Sequence, residues 1–206
     1  MEDKIEIFNN EILRYFEDGG DYYIRYRYTL DENSVVFDVG GYIGDFAKSV
    51  IENFGCKVFV FEPTSEYYSL CRDKFRNVKN VRIFNYGIGD KNGTSEIYMN
   101  GDATSSNIKS DKVEEIKIST LRSSIDSLGI TNIDLLKINI EGDEYGLLEK
   151  AIEDDVLKLV KNIQVQYHLI EENCIERREN INKKLEETHE LEWRYDWVWE
   201  SWKIKK

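Results

Sequence analysis

Short apolar runs along the chain end in glycines or polar residues, which is the pattern of buried parallel strands. Such runs cover residues 35–39, 57–62, 81–88, 133–140 and 162–168. Between them, apolar residues recur at helical spacing, as in a helix predicted over 43–53 with Ile43, Phe46, Ala47, Val50 and Ile51 on one face. Strands that alternate with helices indicate an α/β fold with a mostly parallel sheet.

The rest of the chain adds shorter elements around these strands. Helices are predicted over 2–17, 65–75, 121–128 and 171–187, and further strands over 95–99 and 113–119. Aromatic residues at period two between 191 and 204 predict an antiparallel hairpin whose aromatic face covers the sheet edge. Residues 22–28 mix aromatic and basic side chains and are predicted to be a strand-like lead-in packed on the domain.

Two further features concern the organisation of the chain. The polar stretch 100–111 has no periodicity, and we interpret it as a loop over the binding pocket. We divide the chain into an N-terminal helical extension, residues 1–33, and one domain, residues 34–206, which is long enough for a sizeable core.

Charge and cysteine content limit the partners. A net charge of −12 over 206 residues argues against a nucleic-acid partner, because phosphate backbones attract basic surfaces. No apolar run is long enough to span a bilayer. The three cysteines are far apart in sequence and form no C-x-x-C motif, which is typical of free thiols in a reducing compartment. We therefore expect a cytoplasmic protein without a nucleic-acid partner, and the aromatic hairpin is a candidate homodimer surface.

The end of the first strand carries candidate ligand-binding residues. Asp38 lies inside the strand end, and Gly40, Gly41 and Gly44 follow around Tyr42. Strand, glycine turn and helix together form a nucleotide pocket in open α/β sheets. The spacing Gly-Gly-x-x-Gly is not the dinucleotide fingerprint G-x-G-x-x-G. The carboxylate of Asp38 favours a cationic ligand over a pyrophosphate, and S-adenosylmethionine is such a ligand.

The next two strands end in residues that suit the rest of that ligand. Glu62 closes the second strand, and Pro63 and Thr64 stop the strand and open the next helix. A carboxylate at this strand tip is where a ribose diol is usually held. Asn85 and Tyr86, near the end of the third strand, would then lie beside an adenine ring.

Two later strands bring further candidate site residues to the same sheet edge. Asn139, a candidate cofactor-binding residue, and Glu141 lie at the carboxyl end of the strand over 133–140 and are expected to open onto the cleft. Acids at Asp143 and Glu144 are placed to offset the dipole of the next helix. The run over 162–168 ends in His168, one of only two histidines in the chain.

Four segments, taken in order, resemble the FkbM family of S-adenosylmethionine-dependent methyltransferases. They are FDVG at 37–40 with Gly44, FEP at 61–63, LKINIEGDE at 136–144 and VQYH at 165–168. The resemblance implies a Rossmann-like class I methyltransferase fold, with helices on both faces of a seven-stranded sheet that is parallel except for one antiparallel strand. It also implies O-methylation, frequently of hydroxyls on sugars or secondary metabolites.

The chain departs from this family at two positions. Asn139 stands where the family usually has an aspartate, and Gln166 stands where it often has a glutamate. Both changes remove a negative charge near the cleft, and a metal-dependent mechanism would need several carboxylates. We therefore predict no metal site, while an altered substrate preference or lost activity stays open.

We predict an S-adenosylmethionine-dependent O-methyltransferase that acts on a hydroxyl of a sugar, glycan or small metabolite. His168 is the first candidate for the base that takes the hydroxyl proton, because an unperturbed histidine titrates near neutrality, and Glu141 is the second. Two other classes stay open. One is an NAD-dependent oxidoreductase, which also carries an acid at the second strand tip, and the other is a non-catalytic module that keeps the cofactor site.

Overall fold

The computed structural model of the chain describes residues 2–98, 113–170 and 172–206. The strands are β1 (Val35–Val39), β2 (Lys57–Phe61), β3 (Val81–Phe84), β4 (Gly87–Gly89), β5 (Gly93–Tyr98), β6 (Val113–Thr120), β7 (Leu135–Ile138), β8 (Asn162–Val165), β9 (His189–Tyr195) and β10 (Trp199–Ile204). The helices are α1 (Glu2–Glu17), α2 (Asp45–Phe54), α3 (Ser65–Lys74), α4 (Leu121–Leu128), α5 (Glu144–Glu153) and α6 (Cys174–Leu185), with 3-10 helices at Ile24–Tyr26 and Leu157–Leu159.

Seven of the described strands form one sheet in the order β3-β2-β1-β7-β8-β10-β9. The five strands from β3 to β8 in this order pair in parallel. β10 is antiparallel to both of its neighbours, so β9 runs in the same direction as the five parallel strands. This confirms the predicted seven-stranded sheet with one antiparallel strand.

Both faces of this sheet are covered by helices, which explains why its central strands are apolar throughout. Phe37 and Val39 of β1 pack in a core cluster with α4, α5 and α6. Val36, the alternate residue, packs in a second cluster with α2 and α3. Alternation along a strand sends neighbouring side chains to opposite faces, so the helices lie on both sides, as predicted.

The prediction of one continuous strand over residues 81–88 is wrong. β3 ends at Phe84, and β4 belongs to a second sheet with the order β4-β6-β5. Between the two strands, the side-chain amide of Asn85 donates to the carbonyl oxygens of Glu62 and Pro63 at 3.2 and 2.8 Å. These hydrogen bonds tie Asn85 to the turn after β2. The chain then leaves the main sheet and enters the second sheet.

The aromatic and basic stretch 22–28 is a turn with a 3-10 helix, so the strand-like lead-in predicted from its composition is wrong. Gly19 adopts φ +74°, and backbone N–H groups of Tyr23 and Arg25 donate to the carbonyls of Gly19 and Gly20. These local hydrogen bonds curl the segment. The prediction that it packs on the domain is correct for Tyr28, which is buried beside α2.

The C-terminal hairpin extends the main sheet, which corrects the prediction that its aromatic face covers the sheet edge. β10 pairs with β8, and β9 becomes the edge strand. Trp202 is fully buried in the core. Tyr195 and Trp199 pack with Tyr15 of α1, so the chain itself covers much of the aromatic surface that the sequence offered for a homodimer.

The strand predicted over 162–168 ends early, at Val165, so His168 lies three residues beyond β8. The predicted pocket loop over 100–111 lies outside the described residues. None of the helices in the described ranges is long and apolar enough to cross a membrane.

The turn after β1 approaches the end of β7 so closely that it requires glycine. Gly40 has φ +83°, and a Cβ there would lie 1.9 Å from the carbonyl oxygen of Asn139. Gly129, which ends α4, has a similar φ of +65° but open space around the same position. Comparing Gly40 with Gly129 therefore separates the cost of a left-handed backbone from the cost of the steric contact that an added Cβ would make.

We expect Gly129→Ala to lower the free energy of unfolding by about 1–2 kcal/mol, the strain of a left-handed alanine. Gly40→Ala should lose at least about 2 kcal/mol more, because the added carbon also forces two strand ends apart. Urea unfolding followed by tryptophan fluorescence measures both. Equal losses in the two variants would contradict the close approach.

Candidate active site

A cavity of about 490 Å³ lies at the carboxyl ends of β1, β2 and β7. The ends of these strands form one wall. The second sheet forms the opposite wall, with Ile88, Ile97, Ile116 and Ile118 among its lining side chains. An open α/β sheet binds ligands at this edge, and the volume is in the range of small-molecule sites.

The structure brings one group of the predicted site residues together on the cavity wall and leaves another group outside it. Those on the wall are Gly40, Tyr42, Glu62, Pro63, Thr64, Asn139 and Glu141. Those that do not line the cavity are Asp38, Gly41, Gly44, Asn85, Tyr86 and His168.

In the turn between β1 and α2, side chains of the protein lie directly against two of the glycines. A Cβ on Gly41 would lie 2.2 Å from a methyl carbon of Val60, and one on Gly44 would lie 2.7 Å from the ring of Phe75. Between them, Tyr42 adopts φ +47° and donates its backbone N–H to Glu62 Oε2 at 2.8 Å. Gly41 and Gly44 therefore shape the turn without reaching the cavity.

Glu62 is held by three donors at the tip of β2. Besides the Tyr42 amide, its Oε1 accepts from the backbone N–H of Thr64 at 3.0 Å and from the Thr64 hydroxyl at 2.7 Å. Burial raises the pKa of Glu62 despite these hydrogen bonds, which act in the opposite direction. The carboxylate is thus fixed in one orientation at the cavity wall.

Asp38 does not line the cavity. Its carboxylate forms an ion pair with a buried lysine. Lys137 lies opposite Asp38 in the register of β1 and β7, and its Nζ is 2.8 Å from Asp38 Oδ1. The ammonium also donates to the carbonyl oxygen of Gly40 at 2.7 Å. Burial lowers the pKa of Lys137, and the charge of Asp38 opposes that effect. Asp38 therefore acts on the glycine turn through Lys137.

The sequence analysis did not identify Lys137 as a site residue, although its place in an apolar strand was informative. It interrupts an apolar strand that is buried on both faces, and only 4% of the residue is exposed. A lysine at such a position needs an anionic partner. The acid at the equivalent point of β1 was the available candidate.

Two acceptor atoms near the strand ends have no hydrogen-bond partner among the described residues. One is Oδ2 of Asp38, which is fully buried, and the other is Oδ1 of Asn139. A buried acceptor without a donor is costly, so such atoms indicate a group that the protein chain alone does not supply. Asn139 also lines the cavity.

Glu141 lines the cavity, and its backbone is strained. It adopts φ +54°, in the left-handed region that disfavours residues other than glycine. Burial raises the pKa of its carboxyl group. Strain of this kind at a cavity is typical of functional residues.

His168 lies behind Glu141, on the side away from the cavity. Its Nε2 is 3.5 Å from Glu141 Oε2, and its Nδ1 is 3.1 Å from Glu144 Oε1. Its side chain is 18% exposed. The carboxylate of Glu141 therefore lies between the cavity and His168, which was the first candidate for the base.

Neither residue predicted to lie beside the adenine is at the cavity. Asn85 brackets the turn after β2 with its amide. The ring of Tyr86 packs on Phe61 and Phe84, with centroids 5.4 and 5.6 Å apart. Their strand assignment was wrong, since β3 ends at Phe84, and their placement follows from that error.

Some residues on the cavity wall were missed by the sequence analysis: Tyr67, Asp90, Lys91, Asp143 and Arg177. The Tyr67 ring meets the Tyr42 ring edge to face, with centroids 4.5 Å apart. Arg177 forms a bidentate pair with Glu149 at 2.7–2.8 Å. Its neighbour Arg178 is buried and pairs with Glu200 at 2.9 Å. An Arg-Arg doublet in the sequence cannot reveal which side of a helix is buried, so the different environments of these two arginines were not predicted.

We expect Lys137→Met to lower the free energy of unfolding by about 3–5 kcal/mol, because it leaves the Asp38 carboxylate buried without a partner. Lys48→Met is the matched control, since Lys48 and Glu52 form an exposed ion pair at 3.6 Å. The control should change stability by less than about 0.5 kcal/mol. Urea unfolding compares the two. Similar small losses would show that Lys137 does not neutralise Asp38.

Among solved structures, the chain is similar in fold to several proteins at low sequence identity. A putative rRNA methylase from Clostridium thermocellum gives a TM-score of 0.53 at 10% identity, over 87% of this chain and 90% of that one. A fibrillarin pre-rRNA processing protein from Methanococcus jannaschii gives 0.52 at 11% identity, over 84% of this chain and 67% of that one. These values show a shared fold alone. No curated protein matches the chain.

The family is shown by a match over most of the chain. The methyltransferase FkbM domain matches residues 38–192, which include the end of β1, the glycine turn, Glu62, β7 and His168. This decides between the methyltransferase and the oxidoreductase that the strand-tip acid left open. The chain therefore belongs to the FkbM family of S-adenosylmethionine-dependent methyltransferases.

Proposed function

We propose that the protein transfers a methyl group from S-adenosylmethionine to a hydroxyl oxygen of a sugar, glycan or small metabolite. The observation that carries this proposal is the meeting of Glu62, the glycine turn and Glu141 around one cavity. The first two are suited to hold the cofactor, and the third is suited to deprotonate an acceptor.

The residues present fit S-adenosylmethionine. The unpartnered Oδ1 of Asn139, on the cavity wall, is suited to accept from its ammonium group. Glu62, already oriented by Thr64, suits the two ribose hydroxyls. The isoleucines of the second sheet offer an apolar surface for the adenine. Asp38 contributes through Lys137, which fixes the carbonyl of Gly40.

The protein has two chemical tasks: to align the acceptor oxygen with the methyl group, and to remove one proton from the acceptor hydroxyl. When bound, S-adenosylmethionine supplies a methyl group already activated by its cationic sulfur. The chain must hold the acceptor oxygen in line and exclude water. We propose that Glu141 takes the hydroxyl proton, because it reaches the cavity whereas His168 stands behind it. The raised pKa of Glu141 makes it a better base than an ordinary carboxylate.

A polar acceptor suits the remaining wall of the cavity. Asp90, Lys91, Asp143 and Arg177 surround the Tyr42–Tyr67 ring pair with donors and acceptors. Such a mixture matches the hydroxyls and flat faces of a sugar. The net charge of −12 argues against RNA as the acceptor. We also propose a cytoplasmic location, which three buried free cysteines support.

We expect isothermal titration calorimetry to detect micromolar binding of S-adenosylmethionine and of S-adenosylhomocysteine to the wild type. Glu62→Ala should weaken both by at least about 10-fold, since it removes a charge-assisted bond to the ribose. Glu52→Ala, an exposed carboxylate on α2, is the control and should bind like the wild type. A wild type that binds neither compound would refute the cofactor assignment.

We expect radiolabelled methyl groups to appear on a hydroxyl compound when the protein is incubated with methyl-labelled S-adenosylmethionine. The panel contains monosaccharides, nucleotide sugars, oligosaccharides and small alcohols, with total RNA as a separate arm. Glu141→Gln should lower the rate by about 100-fold, the usual contribution of a general base. Label in the RNA arm alone would refute the proposed acceptor class.

A further inference from the structure

A second buried carboxylate holds His168 from the side opposite Glu141. Glu144 is the first residue of α5 and has no exposed surface. Its Oε1 accepts from the backbone N–H of His168 at 2.7 Å and lies 3.1 Å from the ring Nδ1. Its Oε2 accepts from the backbone N–H of Gly142 at 2.8 Å. Glu144 thus connects the turn that carries Glu141 to the segment that carries His168.

These contacts fix the protonation of the imidazole. An ionised carboxylate only accepts hydrogen bonds, so Nδ1 must carry a proton that it donates to Glu144. Nε2 is then the atom left to exchange a proton, and it faces Glu141 at 3.5 Å. The three side chains form a row that leads away from the cavity, in the order Glu141, His168 and Glu144.

We propose that His168 and Glu144 form a proton-storing pair behind Glu141, in which Glu144 is a positioning residue. This rests on the proposed function, in which Glu141 faces the acceptor. As the acceptor oxygen bonds to the methyl carbon, the bond between that carbon and the sulfonium sulfur would break and leave S-adenosylhomocysteine. The O–H bond of the acceptor breaks as well, and its proton moves to a carboxylate oxygen of Glu141. The proton then passes to Nε2 of His168, which returns Glu141 to its ionised form. The resulting imidazolium loses the proton to water before the next turnover.

The charges around His168 favour this arrangement. The groups that face its ring are Glu144 from α5 and Glu141 from the preceding turn, and both are acids. Burial by itself would lower the pKa of His168, but the hydrogen bond to Glu144 and the charges of both acids outweigh it and raise the pKa. Burial raises the pKa of Glu141 too. Tyr145 fixes the segment by donating its hydroxyl to the His168 carbonyl at 2.8 Å.

A purely structural Glu144 would behave differently. It would anchor the backbone N–H groups of Gly142 and His168, and its loss would lower stability without changing how the imidazole titrates. The titration of His168 therefore separates the two roles. The chain has only two histidines, so each can be followed by itself.

The experiment is an NMR titration of the histidine ring resonances in the intact protein without cofactor, with His168→Gln to assign the peaks. His189 is the internal reference: its Nε2 contacts the carbonyl of Val160, and burial lowers its pKa. In the wild type we expect His168 to titrate above an ordinary histidine and His189 below one. A His168 midpoint at or below the ordinary value overturns the proposal without any further variant.

Three variants then isolate the charge of Glu144. Glu144→Gln should move the His168 midpoint down, whereas Glu144→Asp, which keeps the charge, should retain most of the elevation. Glu200→Gln is the matched control, because Glu200 is equally buried but pairs with Arg178 and Arg194. It should lose stability and leave the His168 midpoint in place. An unchanged midpoint in Glu144→Gln overturns the proposal.

Calorimetry on the same samples keeps the two proposals apart. We expect Glu144→Gln to bind S-adenosylmethionine like the wild type, since Glu144 does not line the cavity. Cofactor binding together with an ordinary His168 midpoint overturns the proton-storing pair alone. A raised midpoint in a wild type that binds no S-adenosylmethionine overturns the proposed function, and with it the proton path.

Discussion

The buried ion pair between Lys137 and Asp38 is the constraint on which the site depends. It joins the two central strands of the sheet at their carboxyl ends, and the same ammonium fixes the carbonyl of Gly40. Moving two charges out of water is costly, and the pair is tolerated because the opposite charges lie 2.8 Å apart, although Oδ2 of Asp38 has no hydrogen-bond partner among the described residues. Through this contact the glycine turn is joined to β7. The cavity end of the sheet is thus ordered from inside the sheet.

Much of the architecture was predictable because the strands are buried on both faces and their helices are regular. β1, β2 and α4 lie where the apolar periodicity placed them, since local pattern and tertiary burial agree there. The error at residues 81–88 has a different origin. The pairing of β4 with β6 joins residues about 30 positions apart in sequence, and no local pattern encodes such a partner.

The site was predicted less evenly, for reasons that concern individual side chains. Glu62 and Glu141 were found because each follows a strand and so reaches the cleft. For Asp38, position alone could not show that a lysine on the neighbouring strand pairs with it. His168 lies outside the cavity lining, since β8 ends three residues earlier than its apolar run suggested. Glu144 was interpreted as a helix-dipole acid, although both of its oxygens are used in other contacts.

The second sheet has a consequence for how such an enzyme diversifies. Its strands supply a wall of the cavity without pairing with any strand of the main sheet in the described part of the chain. Substitutions at Ile97, Ile116 or Ile118 alter the shape of that wall while the Lys137–Asp38 contact stays untouched. The shape of the cavity can therefore change by substitutions in one small sheet, while the ion pair that joins the central strands is inherited unchanged.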